Sequence, residues 1–151
     1  MLDQIRDLYQ EVVFDHNRNP RNFRVMEDAT RRVEGFNPLC GDKITLYVKV
    51  RAGVIEDVSF QGSGCAISTA SASLLTEIVR GQTEEAAHHL FAVFHRITTG
   101  HGDNANLEEL GKLAVLAGVR AYPARVKCAT LAWHTLHEAL VDTGGTAAPK
   151  A

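Results

Sequence analysis

The sequence predicts an α+β domain: a three-stranded antiparallel sheet with helices packed on one face and a metal site at one edge of the sheet. Three observations predict it. Ile44, Leu46, Val48 and Val50 alternate with Thr45, Tyr47, Lys49 and Arg51, the period of two that marks a strand with one face buried. Shorter strand-like segments flank that run, joined to it by connections short enough to make neighbours antiparallel. Elsewhere apolar residues recur at 3.6-residue spacing, giving each helix one face to bury.

Leu2, Ile5, Leu8, Tyr9, Val12 and Val13 form the first stripe, that of a docking helix, with Asp3 as a candidate N-cap and Asn17 to Pro20 as the break. Arg31 to Phe36 reads as the first strand, the alternating run as the second, and Val54, Val58 and Phe60 as the third, after a turn at Ala52-Gly53. In such a meander the first and third strands run the same way, so the loop after the first and the turn after the third share one end of the sheet. Ile67, Ala70, Leu74, Leu75, Ile78 and Val79 then make a helix face that stops at Gly81. Thr83 caps the next helix, with Glu84 and Glu85 in its first turn and Leu90, Phe91 and Phe94 on its face. After a polar loop from Thr98 to Ala105, Asn106 and Glu109 form a candidate capping box for a helix whose Leu110, Leu113, Ala114 and Ala117 face inward up to Gly118. Tyr122-Pro123 opens a last helix striped by Val126, Ala129, Trp133, Leu136 and Leu140. Residues 1–143 make one domain, and the small, polar, proline-containing end from Gly144 to Ala151 is expected to be a disordered tail.

Composition narrows the function classes. A chain of 151 residues, 45% hydrophobic and 23% charged, buries more than about 60% of its unfolded surface in one core. Net charge of -2 and a pI near 6.4 give no global field for nucleic acid or anionic lipid. Three cysteines, an odd number, with no apolar run long enough for a signal sequence or membrane span, point to a reducing compartment, the cytoplasm, and away from a disulfide framework.

Those cysteines are the candidate site. Phe60-Gln61-Gly62-Ser63-Gly64-Cys65 ends a strand pattern at two glycines and sets Cys65 at the mouth of a helix, where the macrodipole and unpaired N–H groups favour a thiolate. The ordinary alternative is a buried cysteine acting as a small hydrophobe. The meander brings Cys40 and Cys65 to one end of the sheet, roughly 10 Å apart at two strand spacings. The loop Asn37-Pro38-Leu39-Cys40-Gly41-Asp42 spans that gap. Cys40 and Asp42 point to one side of an extended loop, with Gly41 as the hinge between them. Adding Cys65 and Cys128, which falls near the start of the last helix, gives three thiolates and a carboxylate, four ligands of the kinds zinc accepts. Lys43, Arg125 and Lys127 stand close in sequence and offset the excess negative charge. The spacing alone is a weak signal, since no C-x-x-C pair is present.

Other residues read as ordinary structure. His101 and the His88-His89 pair belong to a loop and a solvated helix face; His134 and His137 share a face without a Cys or acidic companion and are structural. Ser68, Ser71 and Ser73 have no identifiable base and are packing residues. Trp133 is core. Asp15 to Asn22 suits either a partner surface or a plain turn.

Four blocks in order, Asp15-His16 through Asn19-Pro20-Arg21-Asn22, Asn37-Pro38-Leu39-Cys40-Gly41-Asp42, Gly62-Ser63-Gly64-Cys65-Ala66-Ile67-Ser68 and Arg125-Val126-Lys127-Cys128, resemble the U-type iron–sulfur cluster assembly proteins, the IscU and SufU family, over nearly the whole chain. In the IscU branch a histidine precedes the third cysteine and the interval between the second and third is shorter. Here that residue is Lys127, and the Thr98 to Ala105 region looks like the insertion found in SufU. IscU members also carry a Leu-Pro-Pro-Val-Lys segment recognised by a dedicated chaperone, where this chain reads Ala121-Tyr122-Pro123-Ala124-Arg125. The resemblance is thus to the SufU branch. It implies zinc held by Cys40, Asp42, Cys65 and Cys128, and sulfur accepted from a SufS-type cysteine desulfurase on Cys40, which stimulates that enzyme. The implied chemistry is exchange: a partner histidine takes the place of Cys40 on zinc, and the freed thiolate attacks the persulfide. Downstream SUF assembly components are the implied further partners. The alternative it leaves open is an IscU-like scaffold holding a transient iron–sulfur cluster.

Overall fold

The computed structural model describes residues 2–38, 40–99, 110–141 and 145–147. The chain runs α1 (Leu2–Arg18), β1 (Arg31–Asn37), β2 (Asp42–Arg51), β3 (Val54–Ser63), α2 (Ala66–Val79), α3 (Glu84–Thr98), a 3-10 helix (Gly111–Ala121), α4 (Pro123–Val141) and β4 (Gly145–Ala147). The three expected strands form the antiparallel meander, with β2 central. Ile44, Leu46 and Val48 of β2 are buried, as are Val33 of β1 and Ile55, Val58 and Phe60 of β3. These apolar faces supply the sheet's half of the core, and the helices supply the other half. Asn37 pairs with Asp42 to close the β1–β2 hairpin, and Lys43 pairs with Ser63. The hairpin tip and the end of β3 therefore meet at one end of the sheet.

Four details depart from the expected pattern. Helix α1 begins at Leu2, so Asp3 falls in its first turn and not at its N-cap. Residues 106–109, the expected capping box, lie outside the described residues; the segment after them winds as a 3-10 helix. Among the described residues, its N-cap Leu110 and its Leu113, Leu116 and Val119 are buried, a repeat of three that matches three residues per turn. Helix α4 is more than a one-sided stripe: every residue from Cys128 to Leu136 is buried. Its threonines survive there because their hydroxyls donate one turn back, Thr130 to Val126 O at 2.9 Å and Thr135 to Leu131 O at 2.8 Å. Finally, the described part of the expected disordered tail, Gly145–Ala147, pairs in parallel with Val33–Gly35 as a fourth strand. It covers the edge that β1 would otherwise leave unpaired, a tertiary gain that composition does not encode.

Phe94, Trp133, Leu74, Leu75 and Leu46 are fully buried at the centre of the core. The segment after α1 returns along the far side of β3, where Phe60 N–H donates to Asn22 O and Arg24 N–H to Phe60 O, both at 3.0 Å.

Candidate metal centre

Asp42 anchors the site. It opens β2, is fully buried, and its Oδ1 accepts the Cys65 backbone N–H at 2.8 Å. That approach demands glycine at position 64, where a Cβ would strike the Asp42 carboxylate. Cys65 is the N-cap of α2, its Sγ accepting Ser68 N–H at 3.4 Å, so the expected thiol at a positive helix end is present. Cys40 is exposed at the hairpin tip. Gly41 beside it holds φ +72°, with open space around it, and donates its N–H to Asn37 O at 2.8 Å; the left-handed turn lets the chain reverse between two ligand positions. Cys128 enters from the second turn of α4, buried, with its Sγ 3.2 Å from Cys40 Sγ.

The ligand atoms of Cys40, Asp42 and Cys128 all lie within 4.8 Å of one another. Cys65 Sγ stands just outside that triad, 4.0 Å from Asp42 Oδ2. Tetrahedral bonds of ~2.3 Å to sulfur and ~2.1 Å to oxygen separate ligand atoms by about 3.5–3.8 Å. The triad fits such a shell, and Cys65 Sγ lies beside it without belonging to the 4.8 Å grouping. Burial, then the Cys40, Asp42 and Cys65 groups around it, push the Cys128 thiol far above its ordinary pKa.

Arg125 lies one helical turn before Cys128, and its N–H donates to Tyr122 O at 2.8 Å. Its pKa is raised first by its side-chain hydrogen bond to Cys128, then by the charges of Cys65, Cys128 and Cys40, so one guanidinium faces all three thiols. Lys43 is exposed beside buried Asp42, because successive strand residues point to opposite faces. Lys127, adjacent to Cys128 on α4, is turned about 100° from it by the helical repeat. A residue the sequence reading missed completes the site: buried Asn37 reaches Cys128 Sγ with Nδ2 at 3.8 Å. The available signal was the alternation Val33, Gly35, Asn37, which places Asn37 on the inward face of β1.

The remaining candidates resolve differently. Ser73 does have a base beside it: His16 Nδ1 is 2.7 Å from its Oγ, and Glu77 lies 3.8 Å from His16 Nε2. Both Ser73 and His16 are buried, however, and Ser73 Oγ also accepts Arg21 N–H at 2.8 Å. With Asn22 Nδ2 donating to Thr76 Oγ1 at 3.0 Å, this network fastens the segment after α1 onto α2. The inward side chains of the 15–22 block thus have a structural use. His88 is not on a solvated face but packs against His137 of α4. Trp133 is core, as expected. His101 and residues 100–105 of the polar loop lie outside the described residues.

A model of the NifU-like N terminal domain family matches residues 8–142. Among curated proteins, the chain is 42% identical over 139 residues to the iron-sulfur cluster assembly scaffold protein IscU of Streptococcus pyogenes serotype M1, covering 92% of this chain and 86% of that protein. It is 39% identical over 138 residues to the zinc-dependent sulfurtransferase SufU of Bacillus subtilis strain 168, covering 91% and 92%. Among solved structures, FiSufU of Fervidobacterium islandicum AW-1 superposes with a TM-score of 0.82 at 35% identity, over 88% of this chain and 96% of that one.

Proposed function

The chain belongs to the IscU/SufU family of iron–sulfur cluster assembly proteins, built on the NifU-like N-terminal domain, and from that premise we propose that it is a zinc-dependent sulfurtransferase of the SufU type. Cys40 is the sulfur acceptor in this reading. The observation that carries it is the contrast among the thiols: Cys40 alone of the three is exposed, on the tip of a loop hinged at Gly41, while Cys65 is half-buried and Cys128 buried. Cys40, Asp42, Cys65 and Cys128 would hold the zinc, whose charge favours thiolate over thiol at neutral pH. The Cys40 thiolate attacks the outer sulfur of a persulfide on a SufS-type cysteine desulfurase. The new S–S bond forms on Cys40 as the old one breaks, and the desulfurase cysteine leaves as a thiolate. Arg125 holds positive charge beside the thiols throughout and offsets the extra anionic sulfur. Downstream SUF components then take the sulfur, in the cytoplasm; no described helix is long and apolar enough to cross a membrane.

An IscU-like scaffold is the second reading, favoured by the name of the Streptococcus pyogenes relative and by a thiolate-rich donor set that also suits an iron–sulfur cluster. Desulfurase turnover with and without this protein, alongside its metal content as purified, separates the two. Zinc together with faster turnover is expected. Iron and sulfide in place of zinc, with turnover unchanged, would establish the scaffold instead.

A further inference from the structure

His88 of α3 and His137 of α4 bring their Nδ1 atoms to 3.3 Å, with the rings crossed at 79°. Each nitrogen carries a proton or a lone pair, and two of either kind repel, so this approach needs one proton or one cation shared between them. The separation admits an N–H···N hydrogen bond, with one ring as donor and the other as acceptor. It matches the edge of a tetrahedral metal shell, since imidazole bonds of about 2.05 Å open at ~109° set two nitrogens about 3.3 Å apart. The pair sits on a groove of 590 Å³ that opens to solvent, lined also by Phe91, His95, Arg96 and Val141. Phe91 braces His137, with centroids 5.5 Å apart. Burial, then the charge of His137, hold His88 below the ordinary histidine range, with Glu84 pulling the other way; neutral imidazole is the form that binds metals.

We propose that His88 and His137 form a second metal site, an imidazole pair for a late first-row divalent cation such as nickel, copper or zinc, with solvent or a small anion completing the shell. It is distinct from the thiol cluster: His137 lies nine residues beyond Cys128 on one helix, about 13.5 Å along its axis. His95, two turns past His88 on α3 and about 10.5 Å along it, is too far to join the same ion. Arg96 on the groove wall opposes a bare cation and favours one carrying an anionic co-ligand.

Equilibrium dialysis of the full chain against submillimolar nickel(II) tests this. The wild type is expected to take up one nickel per chain more than His88→Ala or His137→Ala, whose affinity at that site falls roughly tenfold or more. His89→Ala, an exposed neighbour, should match the wild type, and thiolate-to-nickel absorption, which reports the cysteines, should be unchanged in all. Within the wild type, bound nickel should broaden the ring resonances of His88 and His137, a readout that stands even if a variant folds poorly. Equal uptake in wild type and both folded variants, or broadening confined to residues around the cysteines, would overturn the proposal.

Discussion

Cys40 and Cys128 carry the same thiol, and the fold assigns them opposite chemistry. Cys128 is enclosed by α4, Asn37 and Asp42, where burial favours its neutral form unless a cation is present; Cys40 is exposed on a hinge. Cys40→Ser should therefore keep the fold and a partly occupied metal site, since Asp42, Cys65 and Cys128 remain. It should nevertheless abolish persulfide uptake, because an alcohol is not ionised near neutral pH and carries no persulfide. Mass spectrometry after incubation with desulfurase and cysteine reads the outcome, and label on Cys65 or Cys128 of the wild type would remove Cys40 from its role. Asp42→Ala is expected to act on the fold instead. It strips the acceptor from Cys65 N–H, costing about 1–3 kcal/mol in urea unfolding, while some sulfur uptake on Cys40 persists. Cys40, Asp42, Cys65, Cys128 and Arg125 could be named together from the sequence because they stand in blocks that resemble a known family; their spacing alone was a weak signal. Asn37 was overlooked because an asparagine before proline reads as a turn, although the Val33, Gly35, Asn37 alternation carries it inward.

Secondary structure divides along similar lines. The meander was legible because a period of two is local information, and the helix starts at Cys65 and Thr83 because caps are local too: Thr83 Oγ1 accepts Ala86 N–H at 3.1 Å. The 3-10 helix was read as α because the first residues of its stripe, Leu110 and Leu113, satisfy both periods. Leu116 is the discriminating position. On an α-helix it would lie about 120° round from Leu110, at the margin of the apolar face, whereas here it is fully buried. Leu116→Ala should cost about 2–5 kcal/mol in urea unfolding; a loss below about 0.5 kcal/mol would mean an α-helix with Leu116 exposed at that margin. The all-round burial of α4 and the pairing of β4 depend on what packs around them, which no window of sequence contains. Gly64→Ala tests the junction of β3 with α2. Its Cβ meets the Asp42 carboxylate, so the variant should lose about 1–3 kcal/mol and bind zinc less tightly than the wild type in competition with a chelator.

Across the whole molecule, two kinds of bond hold the chain, and they lie in different places. The apolar core around Trp133, Phe94 and Leu46 ties the sheet to the helices and gains nothing from a metal. At the end of the sheet, three separate connections converge: the β1–β2 hairpin through Cys40 and Asp42, the β3–α2 junction through Cys65, and the start of α4 through Cys128. Protein contacts at that convergence include the Asp42 hydrogen bond to Cys65 N–H, the Asn37 contact with Cys128 and the Arg125 charge. A cation with four ligands from three connections would add the cross-link they lack. Chelation should then loosen this end and spare the rest, because local opening follows local contacts and not the global stability. Hydrogen exchange with and without chelator is the measurement. Protection is expected to fall at amides 40–43, 64–68 and 125–129, to stay in central β2 and mid-α4, and to return when zinc is restored. A uniform loss over the chain would mean that the metal supports the whole fold, which makes the site a closed structural one. The Cys40 loop could then not release its thiol to a partner without unfolding the protein, and the sulfur-transfer reading would fall with it.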